Sequence, residues 1–209
     1  MSDYRCTPYC PPFGNIKNKK TALLRKIRLT HPRAQNIYNI IKGRGSKEHV
    51  DFLKIYNYKC CYCGCSVKIL SAMLFEVDHL KPISSSAEPT QNLNGINNLV
   101  LSCRNCNGWK LAYYVDELSD AWSPDNEGIS QLFNRDHLYN ICIDEKYQAN
   151  DHTIELYDRL KLGAQFRRLD YLLMSIDGYI KKHTTETRTR TTLLELFAFL
   201  HEKRNFIGI

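Results

Sequence analysis

The chain has 209 residues with a formal net charge of +7, and 43% of its residues are hydrophobic while 24% are charged. This balance is typical of a globular protein and excludes a largely disordered chain. No run approaches the roughly 18 apolar residues of a membrane helix, and no charged segment followed by an apolar run marks a secretory signal, so the sequence predicts a cytoplasmic protein that does not span a membrane.

The positive charge is concentrated in a basic N-terminal segment, residues 1–47. Between Asp3 and Glu48 the sequence has no acidic residue and 11 Lys or Arg. Because basic side chains that neutralise phosphates release condensed counterions, such a segment favours a polyanionic partner. The alternative is a solvated basic face without a ligand. The residues predicted to contact nucleic acid in this segment are Lys17, Lys19, Lys20, Arg25, Lys26 and Arg28.

The predicted elements fall into three regions. In the first, prolines and a glycine exclude regular helix over residues 8–14, and helical pieces follow over residues 21–41, interrupted at His31-Pro32. The second region, residues 48–115, contains a strand pattern at residues 75–79 that ends at Pro82. The third, residues 116–209, is mixed at first, with a strand predicted at 138–143. It then becomes helical and ends in a short helix over 193–200.

The cysteines of the second region have the spacing of a structural zinc site. Among the nine cysteines, two pairs have the form Cys-x-x-Cys: Cys60 with Cys63, and Cys103 with Cys106. A two-residue gap lets both thiolates of a pair face one ion, and two such pairs can close a tetrahedral site. Gly64 relieves the backbone where the first turn curls around the metal. Cys61 and Cys65 remain open as substitutes for Cys60 and Cys63.

An Asp-His pair and a later asparagine add candidate catalytic groups. Asp78 can hold a hard divalent cation through oxygen, and His79 can deprotonate a water near neutral pH. Asn107 directly follows Cys106, so the structural metal would determine its position and its amide oxygen could be a second ligand of that cation. Glu76 shares a strand face with Asp78 and is interpreted as a solvated carboxylate rather than a ligand.

In this order the motifs resemble the HNH nuclease family, over about residues 57–112. The resemblance implies an α+β fold, in which a small zinc-stabilised ββα-metal core is flanked by a basic helical N-terminal segment and a mainly helical C-terminal region. It also implies the site roles. His79 would be the general base, Asp78 and Asn107 the ligands of the catalytic metal, and Asn98 would orient His79 through its backbone or side chain. Many members have His where Asn107 stands, so this is an H-N-N version. Lys110 matches a basic position that can contact phosphate.

These residues together predict a metal-dependent endonuclease that hydrolyses phosphodiester bonds, with DNA favoured over RNA as substrate. Its cofactors would be structural Zn²⁺ and catalytic Mg²⁺ or Mn²⁺. The alternative is a zinc-stabilised nucleic-acid-binding module without catalysis. Resemblance to short bacterial nucleases also suggests the cutting subunit of an anti-phage defence or restriction-type system. Because this chain has no P-loop, an ATPase partner would be a separate polypeptide.

Overall fold

The computed structural model describes residues 3–85, 87, 89–183 and 186–206, and it has the expected α+β fold. The helices are α1 (Ile16–Thr30), α2 (Ile37–Ile41), α3 (Lys47–Ile55), α4 (Thr90–Leu93), α5 (Arg104–Lys110), α6 (Asp116–Ser119), α7 (Ile129–Leu132), α8 (Asp151–Arg159), α9 (Gln165–Lys182) and α10 (Thr187–Phe206). The strands are β1 (Phe75–His79), β2 (Leu99–Cys103), β3 (Phe133–Arg135) and β4 (Ile141–Ile143). None of the helices in the described ranges has the length and hydropathy needed to cross a bilayer.

The basic segment folds as predicted, into helices separated at His31-Pro32. Helix α1 buries Ile16, Leu23 and Ile27 along one face, at the spacing that brings them onto one side of the helix, and it packs against α3. It ends at Thr30 because the residue before a proline disfavours helical backbone. The remaining face of α1 is open to solvent and carries most of its basic side chains.

The central unit is an antiparallel hairpin covered by one short helix. Strands β1 and β2 pair with Val77 opposite Leu101 and His79 opposite Leu99. Phe75 and the apolar residues of β2 are buried, and α5 follows β2 directly and contacts both strands. The strand predicted at residues 75–79 is therefore confirmed. This geometry places the last residues of β1 beside α5.

The turn before the hairpin requires glycine at one position. Gly64 has φ of 77°, and a Cβ there would lie 2.2 Å from the backbone oxygen of Arg5. Only glycine accommodates both the left-handed backbone and this close approach. The turn is joined to the hairpin by the amide of Cys61, which donates to the carbonyl oxygen of Leu101 at 2.8 Å. The residues around the first cysteine pair are thereby held against β2.

The third region differs from its predicted elements in two places. The strand predicted at 138–143 is limited to β4, because residues 136–140 form the turn that returns from β3, closed by the amide of Asp136 donating to the Asn140 carbonyl. The short helix predicted at 193–200 is the 20-residue α10. Its first turns carry exposed threonine and arginine, whose side chains give no apolar periodicity for a sequence pattern to detect.

The hydrophobic core passes through all three predicted regions. Tyr4 and Ile16 come from the N-terminal segment, Phe75 from the hairpin, and Leu156 and Leu173 from the C-terminal helices, and all of them are buried in one cluster. Gly178 lies within α9, and its lack of a side chain lets Tyr9 pack against the helix. A Cβ at this position would lie 2.6 Å from the Cβ of Tyr9. The site described next therefore rests on contacts from both flanking regions.

Candidate functional site

The two Cys-x-x-Cys pairs converge on one point. The sulfur atoms of Cys60, Cys63, Cys103 and Cys106 all lie within 4.8 Å of one another, and all four side chains are buried. Zinc–sulfur bonds of about 2.3 Å in a tetrahedron separate the sulfurs by about 3.8 Å; Cys63 and Cys103 are 3.9 Å apart. The donor set therefore fits a structural zinc ion. Cys61 and Cys65 lie outside this group, so the geometry favours Cys60 and Cys63 as the zinc ligands of the first pair.

A buried arginine completes the surroundings of the four thiols. Arg167, from α9, is 2% exposed, and its Nη2 donates to Cys106 Sγ at 3.1 Å and to the Leu160 carbonyl at 2.9 Å. Four thiolates carry two more negative charges than one Zn²⁺ neutralises, so a guanidinium at this distance offsets part of the excess. The sequence reasoning missed Arg167, because it lies 61 residues beyond Cys106 and in no recognised motif.

Asp78 is held inside the protein by two polar side chains. Its Oδ2 accepts from the Tyr62 hydroxyl at 3.1 Å and lies 3.5 Å from the Lys110 ammonium nitrogen. Burial raises the pKa of the Asp78 carboxyl to about 6, and the Lys110 charge opposes that rise. A carboxyl group with this pKa is mostly ionised at neutral pH, so it remains able to bind a cation.

Lys110 is not placed to make the phosphate contact that its match to the family predicts. Its side chain is fully buried, and its Nζ donates to the carbonyl oxygens of His79 at 3.2 Å and Leu111 at 3.4 Å, besides facing Asp78. A buried ammonium with these partners does not reach a phosphate in solvent. The phosphate contact is therefore corrected to an internal role: Lys110 ties α5 to the end of β1.

His79 is half-buried, and its ring is oriented by Asn94. The Nε2 atom lies 2.9 Å from Asn94 Oδ1, and the Tyr38 ring lies 4.5 Å from the imidazole, centroid to centroid. Since the amide oxygen only accepts, Nε2 carries the proton and Nδ1 is the basic atom. Burial, together with the Lys110 charge, lowers the pKa of His79 against the opposing effect of Asn94. The imidazole is therefore neutral near pH 7.

Asn98 acts on the backbone beside His79 and not on its ring. Its side chain accepts from the Lys81 amide at 2.8 Å and donates to the carbonyl oxygens of Lys81 and Leu93 at 2.9 Å. Its own carbonyl accepts from the Leu80 amide at 2.8 Å. Asn98 thus holds the chain that leaves β1, and its predicted orientation of His79 stays a prediction. The ring contact belongs to Asn94, which the sequence reasoning missed among several asparagines in this stretch.

Among the described residues, Asn107 is bonded to Glu76 and not to Asp78. Its Nδ2 donates to Glu76 Oε2 at 2.8 Å, and the guanidinium groups of Arg44 and Arg104 each come within 3.8 Å of the other Glu76 oxygen. Glu76 is therefore half-buried and partnered, not the solvated carboxylate expected. The bond uses the amide nitrogen of Asn107, which leaves the amide oxygen as the atom that can bind a cation. Glu76 and Asn107 line a cavity of about 500 Å³.

The basic residues predicted to contact nucleic acid separate into exposed and buried positions. Those exposed along α1 are Lys17, Lys19, Arg25, Lys26 and Arg28. Lys20 is buried. Its ammonium group is paired with Asp125 and lies 5.8 Å from the centre of the Tyr56 ring. Tyr56 donates to the same carboxylate at 2.6 Å. The surface contact predicted for Lys20 is therefore corrected to a buried ion pair that anchors α1.

The hairpin, the helix packed on it and the four gathered cysteines define a ββα unit of the metal-finger class. Residues 60–110 match the model of the HNH endonuclease family, which places an HNH domain in the middle of the chain and confirms the resemblance. The match covers roughly a quarter of the 209 residues. Comparisons with curated proteins and with solved structures give no significant match. The HNH domain points to a nuclease or a nucleic-acid-binding module.

Proposed function

We propose that this chain is a metal-dependent endonuclease that hydrolyses phosphodiester bonds of nucleic acid, with DNA the preferred substrate. The observation that carries the proposal is the placement of His79 at the end of β1 in the HNH domain, with Nε2 engaged by Asn94. A purely structural finger needs the four cysteines, but it does not need a neutral, oriented imidazole beside a buried carboxylate.

His79 is the general base in this mechanism. Its Nδ1 takes a proton from the water that attacks phosphorus, while Asn94 holds the ring and stabilises the imidazolium that forms. The lowered pKa keeps His79 unprotonated near neutral pH, as a base requires. General-base action typically contributes about 10²- to 10⁴-fold to a rate.

Asp78 and Asn107 would hold the divalent cation, Mg²⁺ or Mn²⁺, through a carboxylate and an amide oxygen. When bound, such a cation stabilises negative charge on the phosphate and on the leaving oxygen. Tyr62 and Lys110 hold Asp78 in position, and Glu76 holds Asn107 by its amide nitrogen. Two ligands from the chain would leave several positions of the cation to water and phosphate oxygens.

The exposed basic face of α1 would contact the phosphate backbone outside the cleavage site. Because these contacts carry no base information, we expect weak sequence preference from this chain alone. The competing function is binding without cleavage, which the zinc cysteines and the basic face would serve equally well. The two functions differ in what happens when His79 is removed.

The deciding experiment is cleavage of supercoiled plasmid, single-stranded DNA and total RNA by the parent protein, by His79→Ala and by His137→Ala. His137 is an exposed histidine and serves as the matched control. We expect Mg²⁺- or Mn²⁺-dependent cleavage that EDTA abolishes. The rate should fall by at least about 10²-fold in His79→Ala and be unchanged in the control. Equal cleavage by parent and His79→Ala would refute the base assignment, and DNA binding without cleavage by the parent would establish the competing function.

We also propose a role in anti-phage defence or restriction beside a separate ATPase subunit. Its support is the resemblance to short bacterial nucleases that serve beside an ATPase. Purification of the tagged chain from its source cell should then recover a second polypeptide with ATP-hydrolysing activity. Recovery of the chain without such a partner, under conditions that preserve its zinc, would contradict this role.

A further inference from the structure

Two cysteines outside the HNH domain form a cluster with a buried lysine. Cys6 and Cys10 lie in two consecutive turns near the N-terminus, closed by the Cys6 amide donating to the Asp3 carbonyl and the Cys10 amide donating to the Thr7 carbonyl. Both sulfurs lie beside the same ammonium group. The Nζ of Lys59 lies 3.1 Å from Cys6 Sγ and 3.7 Å from Cys10 Sγ.

The surroundings of this cluster stabilise a thiolate. Lys59 is 2% exposed, its Nζ also donates to the Pro11 carbonyl at 2.6 Å, and a buried ammonium is stabilised by a nearby anion. The Thr7 amide donates to Cys10 Sγ at 3.1 Å. The Cys6 side chain, with the Lys59 charge and the Thr7 amide, lowers the pKa of Cys10 to about 5 although burial opposes it. Cys10 is therefore the member of the pair that is ionised near neutral pH.

The described neighbours of this pair do not complete a second metal site. Within the described part of the chain, the only group of three or more potential metal ligands of the His, Cys, Asp or Glu type is the four-cysteine cluster. A thiolate beside a thiol and a cation has instead the features of a reactive dithiol.

Cys10 is partly exposed and lines a cavity. Cys6 and Cys10 are half-buried, whereas the six cysteines of the HNH domain are buried. Cys10 and Lys59 line a cavity of about 290 Å³, whose other charged side chains are Lys68 and Asp177, an ion pair at 3.2 Å. This volume admits the reacting end of a small disulfide.

We propose that Cys10 and Cys6 form a redox-active dithiol that reacts with low-molecular-weight disulfides. The Cys10 thiolate attacks one sulfur of the small disulfide, breaks its S–S bond and expels one small thiolate, leaving a mixed disulfide on Cys10. Cys6, on losing its proton, then attacks Cys10 Sγ and expels the second small thiolate. The chain ends with a Cys6–Cys10 disulfide, and the small disulfide ends as two thiols, so the two electrons are accounted for. This dithiol does not depend on the nuclease function.

The test uses the full, zinc-loaded chain equilibrated with mixtures of glutathione and glutathione disulfide, followed by alkylation and peptide mapping. We expect an intramolecular Cys6–Cys10 disulfide to form in a single two-electron transition while the zinc content stays constant. Cys6→Ser lacks the resolving thiol, so the mixed disulfide should accumulate on Cys10. The matched control is Cys142, a half-buried cysteine whose pKa is raised by burial.

A second measurement uses the parent protein, so its outcome does not depend on whether a variant folds. At about pH 5.5, limiting iodoacetamide should label Cys10 about tenfold or more faster than Cys142, because the larger thiolate fraction outweighs the lower nucleophilicity of a more acidic thiol. Equal labelling of the two cysteines would overturn the proposal. So would a failure of the Cys6–Cys10 disulfide to form in oxidised glutathione while the zinc cysteines stay intact.

Discussion

The hydrogen bond between Asn94 and His79 can be tested by adding one charge. Asn94→Asp keeps the size of the side chain and places a carboxylate about 3 Å from Nε2, within the range at which an opposite charge raises a histidine pKa by about 1 to 3 units. His79 acts only when unprotonated, so activity is lost as the pH falls through its pKa. Raising that pKa shifts the acidic limb of the kcat/KM profile to higher pH. At pH values below the pKa, each unit by which the pKa is raised lowers kcat/KM about tenfold, whereas near pH 8.5 most of the activity should return.

The assay is the pH profile of plasmid cleavage for the parent, Asn94→Asp and Asn92→Asp. Asn92 is exposed on α4, which ends just before Asn94, so its aspartate adds the same charge without the ring contact. We expect the parent limb below the ordinary histidine pKa of about 6.5, because burial lowers the pKa of His79. The limb should shift up by at least about one unit in Asn94→Asp and much less in the control.

Protonation of Asp78, whose pKa is raised to about 6, falls in the same pH range and must be separated from that of His79. Metal and proton compete for a ligand carboxylate, so a limb due to Asp78 moves to lower pH as the divalent cation is raised. A limb due to His79 stays in place. Equal shifts in Asn94→Asp and Asn92→Asp, or a parent limb that follows the metal concentration throughout, would refute the assignment of His79 as the base held by Asn94.

Three further outcomes follow from the geometry. Cys106→Ser should lose the bound zinc and lower the melting temperature, as measured by metal analysis and calorimetry; unchanged zinc and melting would contradict a four-thiolate site. Asp125→Asn leaves the buried ammonium on α1 without its counter-charge and should cost about 3 kcal/mol in urea unfolding, whereas Lys17→Met on the exposed face should stay within about 0.5 kcal/mol. Replacing Lys26 and Arg28 by alanine should reduce the slope of log affinity against log salt by up to about 2 for duplex DNA, and an unchanged slope would remove α1 from the binding surface.

Sequence reasoning predicted the parts of this protein that depend on spacing. A two-residue gap between cysteines, an alternating strand and a proline break each constrain the backbone over a few residues. The zinc pairs, β1 and the end of α1 therefore appear where the pattern places them. The HNH resemblance is a set of such local constraints in a particular order, and it is confirmed over residues 60–110.

The sequence could not show which polar side chains are buried. Lys17 and Lys20 are three residues apart in one basic run, yet only Lys20 lies on the face of α1 that packs inward and meets Asp125, about a hundred residues later. Asn94 and Asn98 are likewise indistinguishable by composition, and their roles differ because one contacts the His79 ring and the other the following backbone. Such assignments depend on long-range packing, for which a single sequence carries no local signal.

The flanking regions are part of the structural support of the HNH domain. A hairpin and one helix of seven residues enclose little apolar volume, and small metal-bound units commonly need further contacts. Arg5 supplies one, since its buried guanidinium donates to the carbonyl oxygens of Cys61 at 2.7 Å and Pro124 at 3.0 Å. Arg167 supplies a second contact, because its guanidinium donates to Cys106 Sγ. Because the N-terminal and C-terminal regions each place an arginine against the zinc turn or its ligands, an excised fragment of residues 57–112 should bind zinc more weakly than the full chain.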